Sequence, residues 1–585
     1  MKNTLLITVL LFGTALAQTI ISTLPVQNQL NVDRETNISV TFDTDMDQST
    51  INSNTFVIHG SQTGLHSGSY TYDNSSRTAT FDPALPFAAG EIAAVILTTD
   101  ITTQAGHPLL NSFQWSFTIN VNNGNGNFLP ANHIPVGNNP WSVFASDLDN
   151  DQDMDLAVVN KYADSITVLI NSGQGVFSDR MDYLTGDNPN TIVSSDLDND
   201  ENMDLIVTNS TSDNISVFMN AGNGTFLPKA DYPSGDYSSA HISADINNDG
   251  YPDVAVLNAF SDDMSILLNN KDGTFNHKTD YPIGKYPNFL ASGDFNNDGY
   301  VDLAVTNGDL SDDTLFIFKN NGNGTFALNA AYETLLKPYS ICAADFNGDG
   351  SLDLAVSHFF NSNFSLFLND GHGAFERTAD YPVANFHQFA ICAADFDSDN
   401  DLDIAVPYMQ SQYPMPIPDT VAIFFNNGGG NFSTRQNFAI GYQCRSVFTS
   451  DLNGDSAMDI IVTSADTDNI TVLFNEGSSS AIHLPSETDN LLKEYALAQN
   501  FPNPFNPTTN IEYQISNAAF VTLKIFDTLG REVVTLVNKQ MPAGIHTAQW
   551  NGKNARGQQV VSGIYYYQIK TNNGYMQTMK MILLK

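Results

Sequence analysis

Apolar and polar positions alternate in blocks through the middle of the chain. Short runs rich in Val, Ile, Leu, Ala and Phe ("SICAA", "DLAV", "SLFLN") are separated by clusters of Asp, Asn, Gly and Ser. Runs this short, bounded by turn residues, predict strands rather than helices. The blocks also repeat in a fixed order. A strand enters an Asp-rich loop such as "DFNGDGSLD", and a second strand leaves it. A polar turn follows, often Ser-Asp ("TSDN", "FSDD"), then a third strand ending in Asn ("SVFMN", "SLFLN", "TVLFN"). A Gly-rich turn and G-x-F open a fourth strand. The first Asp of the loop falls at Asp147, Asp196, Asp245, Asp294, Asp345, Asp395 and Asp451, at intervals of 49, 49, 49, 51, 50 and 56 residues. A period of this size marks an array, a solenoid or a propeller, and four short antiparallel strands are the content of one propeller blade.

The order of the pieces predicts a closed ring. G-x-F begins at Gly126, Gly175, Gly224, Gly273, Gly324, Gly373 and Gly430, so one copy precedes the first Asp loop and none follows the last third strand, "TVLFNEGSSS". The last unit lacks a fourth strand and the start of the repeats has a spare one. Pairing the two removes both exposed edges, whereas a linear solenoid needs distinct caps. The expectation is a seven-bladed propeller over residues 121–485 of an all-β chain.

The loops carry oxygen side chains at alternating positions, which is calcium-loop chemistry. An EF-hand would place a bidentate Glu at position 12 between helices; here position 12 of the fifth loop is Val356, the last carboxylate is Asp353 at position 9, and the flanks are strands. The motif D-x-[DN]-x-D-G-x-x-D before an apolar strand resembles the FG-GAP/VCBS repeat family, also found in the propeller of integrin α chains. The resemblance implies one Ca²⁺ per hairpin tip, held by positions 1, 3, 5 and 9. Those residues are Asp147, Asp149, Asp151 and Asp155; Asp196, Asp198, Asp200 and Asp204; Asp245, Asn247, Asp249 and Asp253; Asp294, Asn296, Asp298 and Asp302; Asp345, Asn347, Asp349 and Asp353; Asp395, Asp397, Asp399 and Asp403; and Asp451, Asn453, Asp455 and Asp459. Position 6 departs from Gly at Gln152, Glu201, Asn400 and Ser456. Gln and Glu fit a left-handed turn poorly, so the first two loops are expected to be the poorest metal sites. Asp and Asn are also plain turn residues, but a turn needs no carboxylate at the ninth position.

Charge fits the metal reading. The formal net charge is −41, and seven divalent ions would bring it to about −27. A polyanion with pI ≈ 4.2 is a poor nucleic-acid binder, since phosphate contacts need a basic surface. The N-terminus, "MKNTLLITVLLFGTALAQT", has the n-region, apolar run and small-residue site of a secretory signal, with cleavage expected before Gln18. No later segment approaches the length of a membrane span. Three cysteines, Cys342, Cys392 and Cys444, cannot form a complete disulfide framework, and they read as small buried residues.

Two further domains flank the repeats. Residues 18–120 ("NISVTFDTDMDQST", "ATFDPALPFAAGE", "FQWSFTI") resemble the Ig-like domains of bacterial S-layer and surface proteins, which implies a spacer or display module joined to the propeller through "NVNNGNGN". Residues 486–585, with "YALAQNFPNPFNPTTNIEYQI", "VTLKIFDTLGREVVTLV" and a basic-apolar end "MKMILLK", resemble the C-terminal sorting domain of type IX secretion substrates. That resemblance implies a small Ig-like β-sandwich, export across an outer membrane and the secretion machinery as a partner.

No catalytic motif is present: no G-x-S-x-G, H-E-x-x-H, P-loop or dinucleotide fingerprint. Candidate ligand contacts lie on the face opposite the Asp loops, where turns bring Trp141, Tyr237, Tyr286, Tyr339, His387 and Tyr442. Aromatic rings beside amides suit sugar faces or peptides. The sixth unit has a longer loop on that face, "PYMQSQYPMPIPDT", adding Tyr408, Tyr413 and Met415; insertions in repeats map to one face, often the binding face. The sequence therefore reads as a non-enzymatic, calcium-binding surface protein that captures a glycan or an extracellular protein. A secreted polysaccharide-acting enzyme with its site at the ring axis, or a structural coat component, are the alternatives.

Overall fold

The computed structural model describes residues 20–309, 312–384, 387–409, 418–477, 496–497, 508–515, 519–527, 531–541, 544–556, 558–572 and 576–583. The signal-like segment, Tyr413 and Met415 lie outside these residues. The described chain is all-β apart from one 3-10 turn, Gln48–Thr50. It divides into two compact units, residues 1–480 and 481–585.

The first unit opens with two packed sheets. One has the strand order Ile20–Leu24, Ile38–Phe42, Thr78–Pro83, Gly68–Asp73; the other Gln29–Val32, Phe113–Ile119, Ile92–Leu97, Phe56–Gly60, Gly64–Leu65. In Ile38–Phe42 alternate residues face inward, the period-2 pattern of a half-buried strand. Ile38, Val40 and Phe42 meet Phe56, Phe81, Trp115 and Phe117 in one core.

Seven four-stranded sheets follow. Their innermost strands are Pro140–Ser146, Pro189–Ser195, Ser238–Ala244, Pro287–Gly293, Pro338–Ala344, Cys392–Ala394 and Cys444–Ser450. The spare strand, Asn132–Pro135, completes the last sheet by pairing with Asn469–Leu473. Each innermost strand packs against the next, and the last packs against the first. Val143, Leu156 and Leu169 of the first sheet share a core with Ile461, Ile470 and Val472 of the last, so the seven sheets form a ring. The second strands, such as Asp155–Asn160 and Asp353–His358, are buried at every position. Both of their faces pack on neighbouring sheets, which explains their continuous apolar runs.

A side-chain clamp repeats at every seam. The Asn that ends each third strand donates its amide to the second-position carbonyl of the preceding sheet's Asp loop: Asn220 to Leu148, Asn269 to Leu197, Asn320 to Ile246, Asn369 to Phe295, Asn426 to Phe346 and Asn475 to Phe396, all at 2.7–2.8 Å. Asn171 does the same to Leu452 of the last loop at 2.8 Å. On the other face the turn Asp between strands two and three holds the next sheet's entry turn. Asp213 accepts from Tyr237 N and Asp262 from Tyr286 N, and Asp468 accepts from Asn139 N across the closing seam.

The N-terminal sandwich does not stand off as a spacer. It lies on the Asp-loop face and bonds to all seven loops. Asp147 N donates to Gln62 O (3.0 Å), Leu65 N to Asp196 Oδ2 (3.3 Å) and Gln114 N to Gly299 O (3.1 Å). His59 Nε2 is 3.3 Å from Gly250 O, while Asn28 and Asn31 side chains donate to Gly350 O and Asn400 O. Arg34 reaches Ser456 Oγ, and Asn122 N donates to Ser456 O at 2.8 Å. The joining segment is packed as well: Val121 is buried, and Gly126 N donates to Phe396 O. Gly299 is required here, because a Cβ would sit 2.7 Å from the Phe113 ring.

The second unit, taken by itself, has a three-stranded sheet (Ala496–Leu497, Thr509–Ile515, Gly544–Trp550) and a four-stranded one (Glu532–Met541, Ala519–Phe526, Gly563–Thr571, Met576–Leu583). Val521, Leu523, Ile525, Trp550, Tyr567 and Ile569 form its core.

Candidate metal loops and the opposite face

Each Asp loop is built by its own carboxylates. The first-position Asp accepts the amides of positions 5 and 6, as Asp147 does from Asp151 (3.1 Å) and Gln152 (2.9 Å). The fifth-position Asp accepts the amide of position 7, as in Asp153 N to Asp151 Oδ1. The ninth-position Asp opens the second strand and ties it to the third: Asp155 takes Leu148 N (2.9 Å) on one oxygen and Asn171 N (2.7 Å) on the other. Position 6 has a positive φ in all seven loops, including Gln152 (74°), Glu201 (70°), Asn400 (76°) and Ser456 (66°). The poor fit expected of Gln and Glu does not change the fold; the loop's hydrogen bonds impose the left-handed backbone on them.

The loops gather charge that they do not neutralise. Burial, helped by neighbouring carboxylates, pushes the acids up: to about 6 at Asp147, Asp294, Asp395 and Asp451, and to about 7 at Asp196 and Asp245. At position 9 the rise is to about 8 at Asp155 and Asp204 and about 9 at Asp403. The third-position oxygens Asp149 Oδ1, Asp198 Oδ1, Asn247 Oδ1 and Asp397 Oδ1 are buried with no hydrogen-bond partner. Carboxylate oxygens of Asp147, Asp149 and Asp155, of Asp196, Asp198 and Asp204, and of Asp395, Asp397 and Asp399 lie within 4.8 Å of one another. An orphaned oxygen beside converging, desolvated carboxylates fits a hard divalent cation, which takes oxygen ligands and offsets their repulsion. Two of these triads are in the first two loops, which the position-6 residues had marked as the poorest.

A cavity of about 460 Å³ lies at the ring axis under the N-terminal sandwich, lined by Ile92, Phe144, Cys342, Cys392, Phe448 and Met458 among others. Its carboxylates, Asp345 and Asp395, are first-position loop residues with both oxygens bonded to loop amides. Cys342 and Cys392 are partly buried on neighbouring inner strands and Cys444 is buried.

The opposite face carries the predicted aromatic residues in two groups. Tyr237 stacks on Phe260 (4.4 Å), which meets Tyr286 edge-on (5.6 Å); Phe260 and Tyr286 are about half exposed. His387 stacks on Phe359 (4.1 Å), and Tyr339 meets Phe359 and Phe389. Trp141 lies beneath two cations, Lys161 Nζ at 3.7 Å and the Arg445 guanidinium at 4.6 Å from the ring centroid. Tyr442 is partly buried on the entry turn of the last sheet, its carbonyl accepting from Asp466 N. Tyr408 is corrected: it ends its strand with 6% exposure, packed in the core between the fifth and sixth sheets. Phe260, Phe359, Phe360, Lys161, Lys337 and Arg445 were not singled out from the sequence. Phe260 and Phe360 both stand fifteen residues after the first Asp of their loops, a register signal that alignment of the units exposes.

Family profiles agree with this architecture. Residues 14–119 match the bacterial Ig-like domain, residues 109–158, 147–207, 196–256, 245–305 and 294–356 match the FG-GAP-like repeat, and residues 505–575 match the FlgD Ig-like domain. The chain therefore contains FG-GAP-like repeats, with a bacterial Ig-like domain before them and an Ig-like domain after them. No curated protein matches it. A crystal structure of a functionally unknown protein from Desulfotomaculum acetoxidans is similar over 67% of this chain and 98% of its own, with 13% identity and a TM-score of 0.37. Among the described residues no helix is long and apolar enough to cross a membrane.

Proposed function

We propose that this chain is an exported, non-enzymatic capture protein of the cell surface, with a calcium-stapled ring whose ligand face is the one opposite the Asp loops. One observation carries the choice of face: the Asp-loop face is covered by the chain's own Ig-like domain, bonded to every loop. The other face presents aromatic rings, Phe260 and Tyr286 among them, about half exposed. In this reading Ca²⁺ is structural and is held by positions 1, 3, 5 and 9 of the loops. It supplies charge that lets the carboxylates stay ionised, so its binding adds to folding stability. The N-terminal signal-like segment and the type IX-like C-terminal sequence would direct export, with the secretion machinery as partner.

The test is binding of the chain from residue 18 to an array of glycans and extracellular-matrix proteins, in millimolar calcium and in chelator. Specific binding that is lost on chelation and on Tyr286→Ala supports the reading. Binding to nothing on the array, in either buffer, overturns it. For export, residues 486–585 fused to a reporter should bring it to the surface of a type IX-competent bacterium; retention inside the cell refutes that part alone.

A further inference from the structure

We propose that Lys161, Arg445 and Trp141, on the inner rim of the open face, form a carboxylate subsite that takes the acid group of an acidic sugar. The inference rests on the reading that this face binds ligand, and it names the ligand's chemistry. Lys161 comes from the first sheet and Arg445 from the last, so ring closure brings two cations together over one indole. Lys161 is 7% exposed, and its ammonium donates to Asn190 Oδ1 at 2.9 Å. Arg445 donates through Nη2 to Gln443 Oε1 at 2.8 Å, while its Nε is buried with no acceptor. Asp466, whose field reaches Arg445, is engaged by Gln443 Nε2 at 2.8 Å. Among the described residues neither cation is in an ion pair, although the chain holds 64 Asp and Glu against 23 Lys and Arg.

Burying a cation without a counter-charge is costly, and two like charges side by side add to the cost. The Trp141 face offsets part of it. Desolvation and the nearby Arg445 together push the Lys161 ammonium down to about 8. What the cluster lacks is an anion; Arg445 as a whole is partly exposed, and a carboxylate beside its guanidinium and the Lys161 ammonium makes charge-assisted hydrogen bonds. The surroundings favour a sugar as carrier. The guanidinium also lies 4.2 Å from the Phe389 centroid, and Phe389 adjoins the partly buried Tyr339. Phe389 is itself buried, so the aromatic groups open to a pyranose are the partly exposed Trp141 and Tyr339, beside the Gln443 amide.

The test titrates the full chain in calcium buffer with a trisaccharide ending in glucuronic acid and with its glucose-ended counterpart, which differ only in the carboxylate. The acid should bind at least tenfold tighter than the neutral sugar. Lys161→Met and Arg445→Gln should each weaken the acid at least tenfold and leave the neutral sugar unchanged. Neither variant should melt lower than the parent, because each removes an unpaired buried charge. Equal binding of the two sugars, no binding of the acid, or acid binding unchanged in both variants overturns the subsite. So does a peptide carboxylate that outcompetes the sugar. A neutral glycan captured through Tyr286 while Lys161→Met has no effect would sink the subsite and leave the binding face standing; an array with no ligand sinks both.

Discussion

Replacing Asn171 with alanine tests whether the ring is closed. Its amide donates to Met154 O at 3.1 Å within its own sheet and to Leu452 O at 2.8 Å in the last loop. Asn426 is the matched interior control, donating to Leu402 O at 3.1 Å and to Phe346 O at 2.8 Å. Both asparagines are buried, and in both Oδ1 has no partner. Truncation of either leaves two carbonyls without their donor, at about 1–3 kcal/mol each where water cannot reach, less about 1 kcal/mol for removing the orphan Oδ1. A net loss of about 1–5 kcal/mol is expected at each site. Urea unfolding followed by circular dichroism and fluorescence gives the two losses from the midpoint shifts at a common slope. A closed ring requires the two to agree within about 1 kcal/mol. If Asn171→Ala costs less than half of what Asn426→Ala costs, the first and last sheets are not joined in solution.

Four other outcomes follow from the same geometry. His358 is fully buried, bonded to Ser365 Oγ at 3.0 Å, and burial pushes it down to about 3. The unfolded chain takes up that proton below about pH 6.5 while the folded one does not, so stability falls as pH drops, by about 2 kcal/mol at pH 5. His358→Asn restores the residue found at the same register at Asn160, Asn209, Asn258 and Asn307, and should remove that share of the acid sensitivity; unchanged midpoints at pH 5 relative to pH 7.5 in both proteins would refute this. Gln152→Gly and Glu201→Gly should each stabilise by about 0.5–1 kcal/mol, because a left-handed L-residue costs about 1–2 kcal/mol, partly offset by glycine's entropy; a loss in urea midpoint would show that these side chains make contacts worth more than the strain. Excess chelator should lower the melting temperature and calcium should restore it, and an unchanged melt counts against every loop as a metal site. Chelation should also speed protease cleavage within 120–127, since the loops that hold the Ig-like domain are the ones proposed to hold metal; cleavage at equal rates with and without calcium separates docking from the metal.

Much of the architecture is legible in the sequence because it is local and repeated. Seven Asp loops, strands of a few residues between turns, and a spare G-x-F strand at the start dictate four-stranded units and a last sheet closed by the first strand. Hydrogen bonds within nine residues build each loop, so the spacing of Asp345, Asn347, Asp349 and Asp353, and of their counterparts in the other six units, carries the information in full. The seam clamps were half visible: the Asn ending each third strand is periodic, but its partner lies on another sheet.

What only the tertiary structure decided is which face of the ring the N-terminal sandwich covers and which it leaves open. Nothing in residues 18–120 says that Gln62, Leu65 and Gln114 would meet loops of the ring, because the sandwich makes each of these contacts through a backbone group with no sequence signature. Tyr408 reads as an exposed loop aromatic and is instead core, since its strand runs on to the end of a sheet packed on both sides. The pairing of Lys161 with Arg445 spans most of the repeat region and follows no period, because it exists only where the first and last sheets meet. Periodic sequence encodes the hydrogen bonds and burial that every unit shares. The asymmetric contacts that distinguish one face, one seam and one rim depend on how the ring closes, and closure is a property of all seven sheets together.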